Sequence, residues 1–368
     1  MGIASEGRSS DVQQVSIDRA KAVRTMDLIL SYVATILVFF FIYNIFTIGL
    51  NIQFGYAGIL NFTVITFMAV GAYVSAVFAM PSAVPGSGVY YVLGLSWPWP
   101  IAALMGVIAS GLLGYIVGFI ALRRLRSDYL AIVTLAAGTL LYGLAGNYNK
   151  AFDGWAGLFN VPQPFGSITT WTPTSYDVFF VAMSGLIMAI AVAFANRLYK
   201  SPLGRAMRAV REDSDVAESF GKNTFKIKML AMVIGCVFVG VGGVLTIAYI
   251  TALSPAGWSS GETFVVWAAL LVGGRGNNWG SILGSLLVAV IFNEATRYLP
   301  QMPQYPNLIP DIRNIIIGVL VIVVLWFRPQ GVLPERKASF MELPLAGSSV
   351  SESSLVADDL IVGTEVTK

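Results

Sequence analysis

Residues 28–62 read LILSYVATILVFFFIYNIFTIGLNIQFGYAGILNF, and they open a stretch of 95 residues, ending at residue 122, that contains no Asp, Glu, Lys or Arg. A membrane-spanning helix needs roughly 20 predominantly apolar residues. Because no soluble domain buries so long an uncharged stretch, the segment predicts several spanning helices. The whole chain agrees with this, since 56% of its residues are hydrophobic and only 12% are charged, whereas roughly 25% are charged in a typical soluble domain.

The composition also excludes several classes of function. A net charge of +3 over 368 residues offers no basic surface for nucleic acid. The chain has no histidine, so the commonest zinc ligand and the commonest general base are both missing. We therefore expect no metal, no cofactor and no catalytic residue. The single cysteine, Cys236, cannot form an internal disulfide, and we interpret it as a small apolar filler in a helix.

Two polar ends flank the apolar region. Residues 1–27 predict a cytoplasmic tail, because the first apolar run starts too late for a cleavable signal peptide. Residues 336–368, rich in Ser, Glu and Asp, predict a disordered cytoplasmic tail. Residues 28–335 form the predicted transmembrane domain, with apolar segments at 28–47, 48–60, 62–80, 99–122, 128–146, 176–198, 228–250, 264–274, 280–298 and 311–327.

The number of crossings follows from the distribution of charge. Basic residues cluster at positions 123–126 and 197–228, and the positive-inside rule places both clusters in the cytoplasm. Both can lie there only if the short segments 48–60 and 264–274 also cross the membrane. The sequence therefore predicts an all-α polytopic membrane protein with about ten crossings and both termini in the cytoplasm.

In this layout residues 28–122 and 228–327 form a parallel internal repeat, and each half contains one short, glycine-interrupted segment. Broken helices at matching positions in two halves predict a substrate path. The alternative is that Gly49, Gly55 and Gly58 only allow helices to pack closely.

Polar and aromatic residues near the two short segments are the candidates for lining such a path. The spanning segments contain few charged residues, and this scarcity argues against a proton-coupled carrier. Each candidate could instead form an interhelical hydrogen bond or lie at the membrane interface. The candidates are Asn51, Gln53, Tyr56, Asn61, Thr63, Thr66, Trp267, Asn277, Asn278 and Trp279.

Residues 199–227 predict a compact pair of amphipathic helices on the cytoplasmic side. Ser201 and Pro202 are typical of an N-cap followed by the first helical position. A second short helix is predicted from Ser214 to Gly221, a residue type that often ends helices. We interpret the pair as a docking site for a cytoplasmic partner; the alternative is a basic loop that only fixes the topology.

Five stretches of the sequence carry glycine-rich or charged motifs: NIQFGYAG (51–58) with GAY (71–73), SDYLAIVT (127–134), GRAMRAVRED (204–213) with AESFG (217–221), VGGRGNNWG (272–280) and FRPQG (327–331). In this order they resemble the M-type permease subunits of branched-chain amino acid ABC transporters, and together they span roughly residues 45–335. In one stretch the chain departs from the family pattern, because residues 61–64 read NFTV where the family often has SFGH.

The resemblance implies a permease subunit of the cell membrane. It implies a second related permease, two cytoplasmic ATPase subunits and an extracytoplasmic solute-binding protein as partners, and residues 153–162 resemble the family's external loop. The chain itself has no GxxxxGK[ST] phosphate loop. Residues 199–227 then correspond to the coupling loop that contacts the ATPases, with Arg205, Arg208, Glu212, Glu218 and Gly221 as candidates.

The sequence is compatible with more than one class of transported solute. Branched-chain or other hydrophobic amino acids are the first expectation, and urea or short amides, carried by close relatives of the family, are the alternative. A self-sufficient channel or secondary transporter is a further hypothesis, but it would need an ion-coupling group within the membrane.

Overall fold

The computed structural model describes residues 3–82, 91–123, 127–166, 172–292 and 308–335. Within these ranges the chain is helical, with two isolated β-bridges, Tyr91 to Phe152 and Leu158 to Leu253. The predicted tail at 336–368 and the end of segment 280–298 lie outside the described residues. The helices are α1 (Ile3–Leu50), α2 (Val64–Ala79), α3 (Trp99–Leu122), α4 (Ser127–Asn147), α5 (Asn149–Phe152), α6 (Pro173–Lys200), α7 (Pro202–Glu212), α8 (Ser214–Ser219), α9 (Thr224–Ile250), α10 (Ser260–Gly273), α11 (Asn278–Gly284) and α12 (Leu308–Phe327).

Five of the described helices are long and apolar enough to cross a membrane, which confirms an all-α polytopic membrane protein. Two shorter apolar helices, Val64–Ala79 and Asn278–Val288, accompany them. The five are Arg24–Tyr56, Trp99–Leu122, Tyr129–Asn147, Thr174–Lys200 and Thr224–Ile250.

The first of these helices corrects the predicted layout. The sequence predicts two crossings, 28–47 and 48–60, but α1 continues without a break into a π-helical turn, Asn51–Tyr56. Leu50, at the junction, keeps right-handed helical angles of φ −67° and ψ −36°. The glycine at position 49 serves a close helix contact instead of a break, because a Cβ there would lie 2.7 Å from the carbonyl oxygen of Gly235.

The direction of α1 also differs from the prediction. Thr35 Oγ1 lies 2.7 Å from Tyr249 Oη, near the end of α9, and Gln53 Nε2 donates to Met232 O at 3.0 Å, near its start. Helices α1 and α9 are therefore antiparallel, so the prediction that the two halves begin in the same direction is wrong. Arg24, at the other end of the spanning part of α1, lies at the opposite end of the bundle from α7. The start of the described part of α1 and Glu335 thus lie at opposite ends of the bundle, and the prediction that both termini lie on one side is not tested, because residues 336–368 lie outside the described residues.

Small residues bring α2, α3 and α9 into close contact. Ser110 Oγ donates to Cys236 O at 2.8 Å, and a Cβ at Gly114 would lie 2.6 Å from Cys236 Sγ. Cys236 is buried, which agrees with its interpretation as a filler. Helices in lipid associate through such close packing, because the lipid supplies no hydrophobic driving force between them.

We predict that Gly71→Ala destabilises the bundle. The new Cβ would lie 2.8 Å from Gly240 O and 3.0 Å from Gly240 Cα; neither backbone atom can rotate away, and overpacking of this kind costs about 1–3 kcal/mol. The matched control is Gly143→Ala in α4, where nothing lies within 4 Å of the new Cβ. Thermal unfolding in detergent should rank Gly71→Ala below the wild type and Gly143→Ala at or above it. Equal unfolding temperatures for the two variants would contradict the close approach.

Candidate functional site

A buried polar network lies where the π-helical turn of α1 meets the start of α11. Asn278 is its centre: its Oδ1 accepts from Asn51 Nδ2 at 3.0 Å and from Tyr56 Oη at 2.6 Å, and its Nδ2 donates to Asn196 Oδ1 at 2.8 Å. Asn51 Oδ1 in turn accepts from the backbone N–H of Gly276 at 2.8 Å. The network thus joins α1, α6 and the loop between α10 and α11.

A second set of hydrogen bonds satisfies the non-helical segment between α1 and α2. Asn61 donates from Nδ2 to Gln53 Oε1 at 2.9 Å, while its Oδ1 accepts from the N–H of Thr63 at 2.9 Å. Thr63 Oγ1 donates to Thr134 O at 2.7 Å, and Trp267 Nε1 donates to Asn61 O at 3.0 Å. Irregular backbone is tolerated at membrane depth only when such partners surround it.

The structure brings together seven of the ten candidates for the substrate path. Asn51, Gln53, Tyr56, Asn61 and Thr63 have no accessible surface, and Trp267 and Asn278 are buried. All seven are hydrogen-bonded to other parts of the bundle. The structure therefore shows these side chains joining helices, and a substrate role for them stays a prediction.

The other three candidates lie apart from the network. Asn277 is the N-cap of α11, since its Oδ1 accepts from the N–H of Trp279 at 3.0 Å. Trp279 itself is 66% exposed. Thr66 lines a separate, almost wholly apolar cavity of about 310 Å³ between α2 and α4, with Tyr73 and Trp258 among its walls.

Sequence reasoning missed Asn196 and Thr134 as members of the network. Each belongs to a long, mostly apolar helix, and its hydrogen-bond partner lies more than 70 residues away in the sequence. The sequence offers no signal for such a contact. Among the residues that the structure describes, no group of three His, Cys, Asp or Glu side chains could hold a metal ion.

The two predicted helices of residues 199–227 are confirmed as α7 and α8. Ser201 Oγ accepts from the N–H of Gly204 at 3.1 Å, with Pro202 at the first helical position. Met207 and Val210 are buried, so the apolar face of α7 packs against the bundle. Asp213 then caps α8 by accepting from two backbone N–H groups, and Gly221 follows it with φ +72°.

The candidate coupling residues divide between the outer surface of this helix pair and the bundle. Arg205, Glu212, Glu218 and Gly221 are exposed. Arg208, in contrast, is half-buried, and its guanidinium lies 4.0 Å from the centre of the Tyr199 ring.

Arg211, which sequence reasoning did not select, connects α7 to the π-helical turn. Its Nη1 donates to the carbonyl oxygen of Gly55, next to Tyr56 of the network. Burial acts to lower the pKa of Arg211, but hydrogen bonds to the carboxylates of Glu212 and Glu335 outweigh it, so that the net direction is upward. The guanidinium is therefore held as a cation at the contact between α7 and the network.

Apolar spanning helices, a buried network of neutral polar side chains and a helical loop rich in arginine define a multi-pass membrane transport subunit. A model of the family described as the branched-chain amino acid transport system permease component matches residues 32–325. The chain therefore belongs to this family. It is a permease subunit of an ABC importer and not an enzyme.

Relatives from several organisms agree with this assignment. The high-affinity branched-chain amino acid permease LivM of Escherichia coli K12 is 32% identical over 313 residues, which cover 80% of this chain and 68% of the relative. A probable LivM of Methanocaldococcus jannaschii is 28% identical over 331 residues, covering 83% of this chain and 94% of the relative. The high-affinity branched-chain amino acid permease LivH of Salmonella typhimurium is 27% identical over 305 residues, covering 79% of this chain and 91% of the relative. No solved structure matches the chain.

We predict that Asn278→Ala loosens the contact between the two halves of the bundle. The substitution removes the partner of Asn51, Tyr56 and Asn196. Interhelical hydrogen bonds in membranes contribute about 0.6 kcal/mol on average and up to about 1.7, so we expect a loss of roughly 1–3 kcal/mol in unfolding free energy. Denaturant titration of the purified protein in detergent measures it.

The adjacent variant Trp279→Ala serves as the stability control, because that side chain is 66% exposed. If Asn278→Ala unfolded at the same denaturant concentration as Trp279→Ala, the central position of Asn278 in the network would be refuted.

Proposed function

We propose that the chain is the permease subunit through which branched-chain or other hydrophobic amino acids cross the membrane. Relatives named for branched-chain amino acid transport support this solute class. Both M-type and H-type permeases are similar to this chain, which supports a second related permease as the neighbouring subunit. Two ATPase subunits on the cytoplasmic side and a solute-binding protein outside complete the proposed assembly.

The observation that carries the mechanism is the contact between Arg211 and Gly55. In the proposed mechanism the ATPases dock on residues 199–227, with Arg205, Glu212, Glu218 and Gly221 on the exposed surface of that loop. Displacement of α7 then acts through Arg211 on the π-helical turn and the network beside it. Residues 28–335 form the permease domain of this proposal.

The network suits a zwitterionic solute. Its amides and hydroxyls are neutral, so they can exchange hydrogen bonds with an ammonium or a carboxylate group without leaving an unpaired charge buried. Asn51, Gln53, Tyr56, Asn61, Thr63 and Asn278 are the proposed contacts, with Trp267 beside them for the apolar part of the solute. These contacts become accessible when α7 moves, since the network is closed in the structure described above.

The proposed orientation places α7 and α8 in the cytoplasm. Eight Lys and Arg residues lie between positions 197 and 228, and such an excess marks cytoplasmic loops. The C-terminal end of α12 is on the same side, because Glu335 contacts Arg211. Arg24 lies at the opposite end of the bundle, so we propose that the N-terminal end of α1 faces outward, where the loop at 153–162 would meet the binding protein.

Uptake by the reconstituted assembly tests the proposed function. Liposomes that contain this chain, its companion permease and both ATPases should accumulate labelled leucine when ATP and the binding protein are present, and excess urea or acetamide should not compete. Replacing Glu218 and Gly221 by alanine should lower uptake per ATP hydrolysed roughly fivefold or more, because Gly221 needs its φ of +72° and Glu218 is exposed on α8. Unchanged coupling would refute the docking role of the loop.

Two further outcomes of that experiment discriminate the alternatives. Competition by urea or acetamide would assign the solute to that class instead. Leucine uptake by this chain alone, driven by an ion gradient, would establish a self-sufficient transporter and overturn the proposed assembly.

Single-cysteine labelling tests the orientation. The single cysteine of the sequence, Cys236, is buried, so we expect the labelling reagent not to reach it. Met26 is 67% exposed and Phe220 is 79% exposed, at opposite ends of the bundle. We expect a membrane-impermeant maleimide to label Met26→Cys in intact spheroplasts and Phe220→Cys only after permeabilisation. The reverse pattern would place α7 and α8 outside the cell.

A further inference from the structure

Glu335 lies at the centre of a cluster of polar side chains beside the coupling loop. Its Oε2 lies 2.8 Å from Arg211 Nη2, and its Oε1 lies 3.2 Å from Tyr199 Oη and 3.9 Å from Arg208 Nε. Its side chain is only 18% exposed, and that of Arg211 is 19% exposed. We call these four residues, Tyr199, Arg208, Arg211 and Glu335, the Glu335 cluster. It joins the end of α6, helix α7 and the segment that follows α12.

The segment before Glu335 is hydrogen-bonded to the end of α10 and to the loop that follows it. The N–H of Val332 donates to Val272 O at 2.8 Å, and the N–H of Leu333 donates to Gly273 O at 3.0 Å. In the loop, Asn277 Nδ2 donates to Leu333 O at 3.3 Å. Because these hydrogen bonds fix residues 332–333 on the end of α10 and on the loop, Glu335 cannot shift far without moving them or losing its partners.

The cluster reaches the polar network at three points. At the first, Arg211 donates to Gly55 O, beside Tyr56. At the second it covers Gly276, whose N–H donates to Asn51; an added Cβ at Gly276 would lie 2.6 Å from Glu335 Oε2 and 3.2 Å from Arg211 Nη1. At the third, the Tyr199 ring contacts the Tyr56 ring directly, with centroids 5.5 Å apart.

Glu335 is the carboxylate that balances the positive charges of Arg208 and Arg211 in the cluster. Arg208 and Arg211 lie one helical turn apart, and their like charges repel each other. Glu212 pairs with Arg211 at 2.7 Å, but its side chain is 74% exposed, so solvent screens that pair. Glu335, by contrast, is mostly enclosed and contacts both guanidinium groups.

We propose that Glu335 is a positioning residue for coupling: its carboxylate holds Arg211 against both Gly55 and the α10–α11 loop. Displacement of α7 then moves the π-helical turn and the loop together, which changes both sides of the network at once. This inference rests on the proposed function. Without Glu335, α7 moves while the two sides of the network stay in place, and ATP hydrolysis is no longer matched by uptake.

The test uses the assembled transporter in liposomes and the ratio of leucine uptake to ATP hydrolysis. We expect Glu335→Ala to lower this ratio by about threefold to tenfold, in the range found for mutations along coupled elements, and the nearly isosteric Glu335→Gln to lower it less. Both should keep measurable ATPase activity. Uptake and hydrolysis are both measured on intact complexes that are purified before reconstitution, so a lower yield of protein does not imitate the effect.

Glu262→Gln is the matched control. Glu262 pairs with Arg313 at 3.4 Å, its side chain is 20% exposed, and it accepts a hydrogen bond from Tyr43, far from α7. The same substitution there should leave the ratio unchanged. A ratio in Glu335→Ala equal to that of Glu262→Gln would overturn the proposal.

The double variant Arg211→Ala/Glu335→Ala separates positioning from general stabilisation. If Glu335 acts through Arg211, the uptake-to-hydrolysis ratio of the double variant should be no lower than that of the more poorly coupled single variant. Losses that multiply would overturn the proposal by showing independent roles. Wild-type transporter that hydrolyses ATP but takes up no leucine would refute the proposed function, whatever the variants do.

Discussion

The structure depends on one constraint: backbone that leaves the helix inside an apolar bundle must find hydrogen-bond partners within the protein. The chain leaves the helix at residues 57–63 and again at 274–277. Side chains satisfy both breaks, because Asn61 and Trp267 serve the first, and Asn51 serves the N–H of Gly276 in the second. The polar network exists first for this reason, and it explains why so many amides are completely buried in a bundle of apolar helices.

That constraint also selects the type of polar group. Amides and hydroxyls can donate and accept at once, so each one bridges two segments without leaving a charge in a region of low dielectric constant. Tyr56 and Asn51 both depend on Asn278, which comes from the other half of the chain. A displacement of the loop at 274–277 therefore breaks several hydrogen bonds together. Because these hydrogen bonds would break together, we expect the network to change between discrete arrangements, as alternation between two access states in the proposed mechanism requires.

The positions of the long helices were largely predictable from the sequence, whereas the direction of α1 relative to α9 was not. Apolar runs located α3, α4, α6 and α9 to within a few residues, and Ser201 and Gly221 correctly bounded the pair of helices α7 and α8. The error began at Gly49, where glycine and a following asparagine resemble a break. In the structure Gly49 packs against α9, and the helix continues as a π-helical turn. Because the positive-inside rule assigns each crossing from its neighbours, that one error made α1 and α9 parallel in the predicted layout, whereas they are antiparallel in the structure. Asn196 and Arg211 could not be found from the sequence, since their partners are long-range.

Arg208, Arg211 and Glu335 are partly buried charged residues beside the polar network, and their position fits the source of energy in the proposed mechanism. A secondary transporter must bind its coupling ion within the membrane, and it therefore needs an ionisable group there. A permease subunit driven by separate ATPases needs its charges where those subunits push. In the proposed mechanism the ATPases dock at the end where Arg208, Arg211 and Glu335 lie partly buried, while Asn51, Gln53 and Asn278 one layer deeper are neutral. The charged pair resists separation because it is partly shielded from solvent, and the neutral network rearranges because each of its hydrogen bonds is individually weak. In the proposed mechanism a strong contact of Arg211 with Glu335, placed beside a network of weak hydrogen bonds, lets a movement of α7 reach the network before that contact breaks.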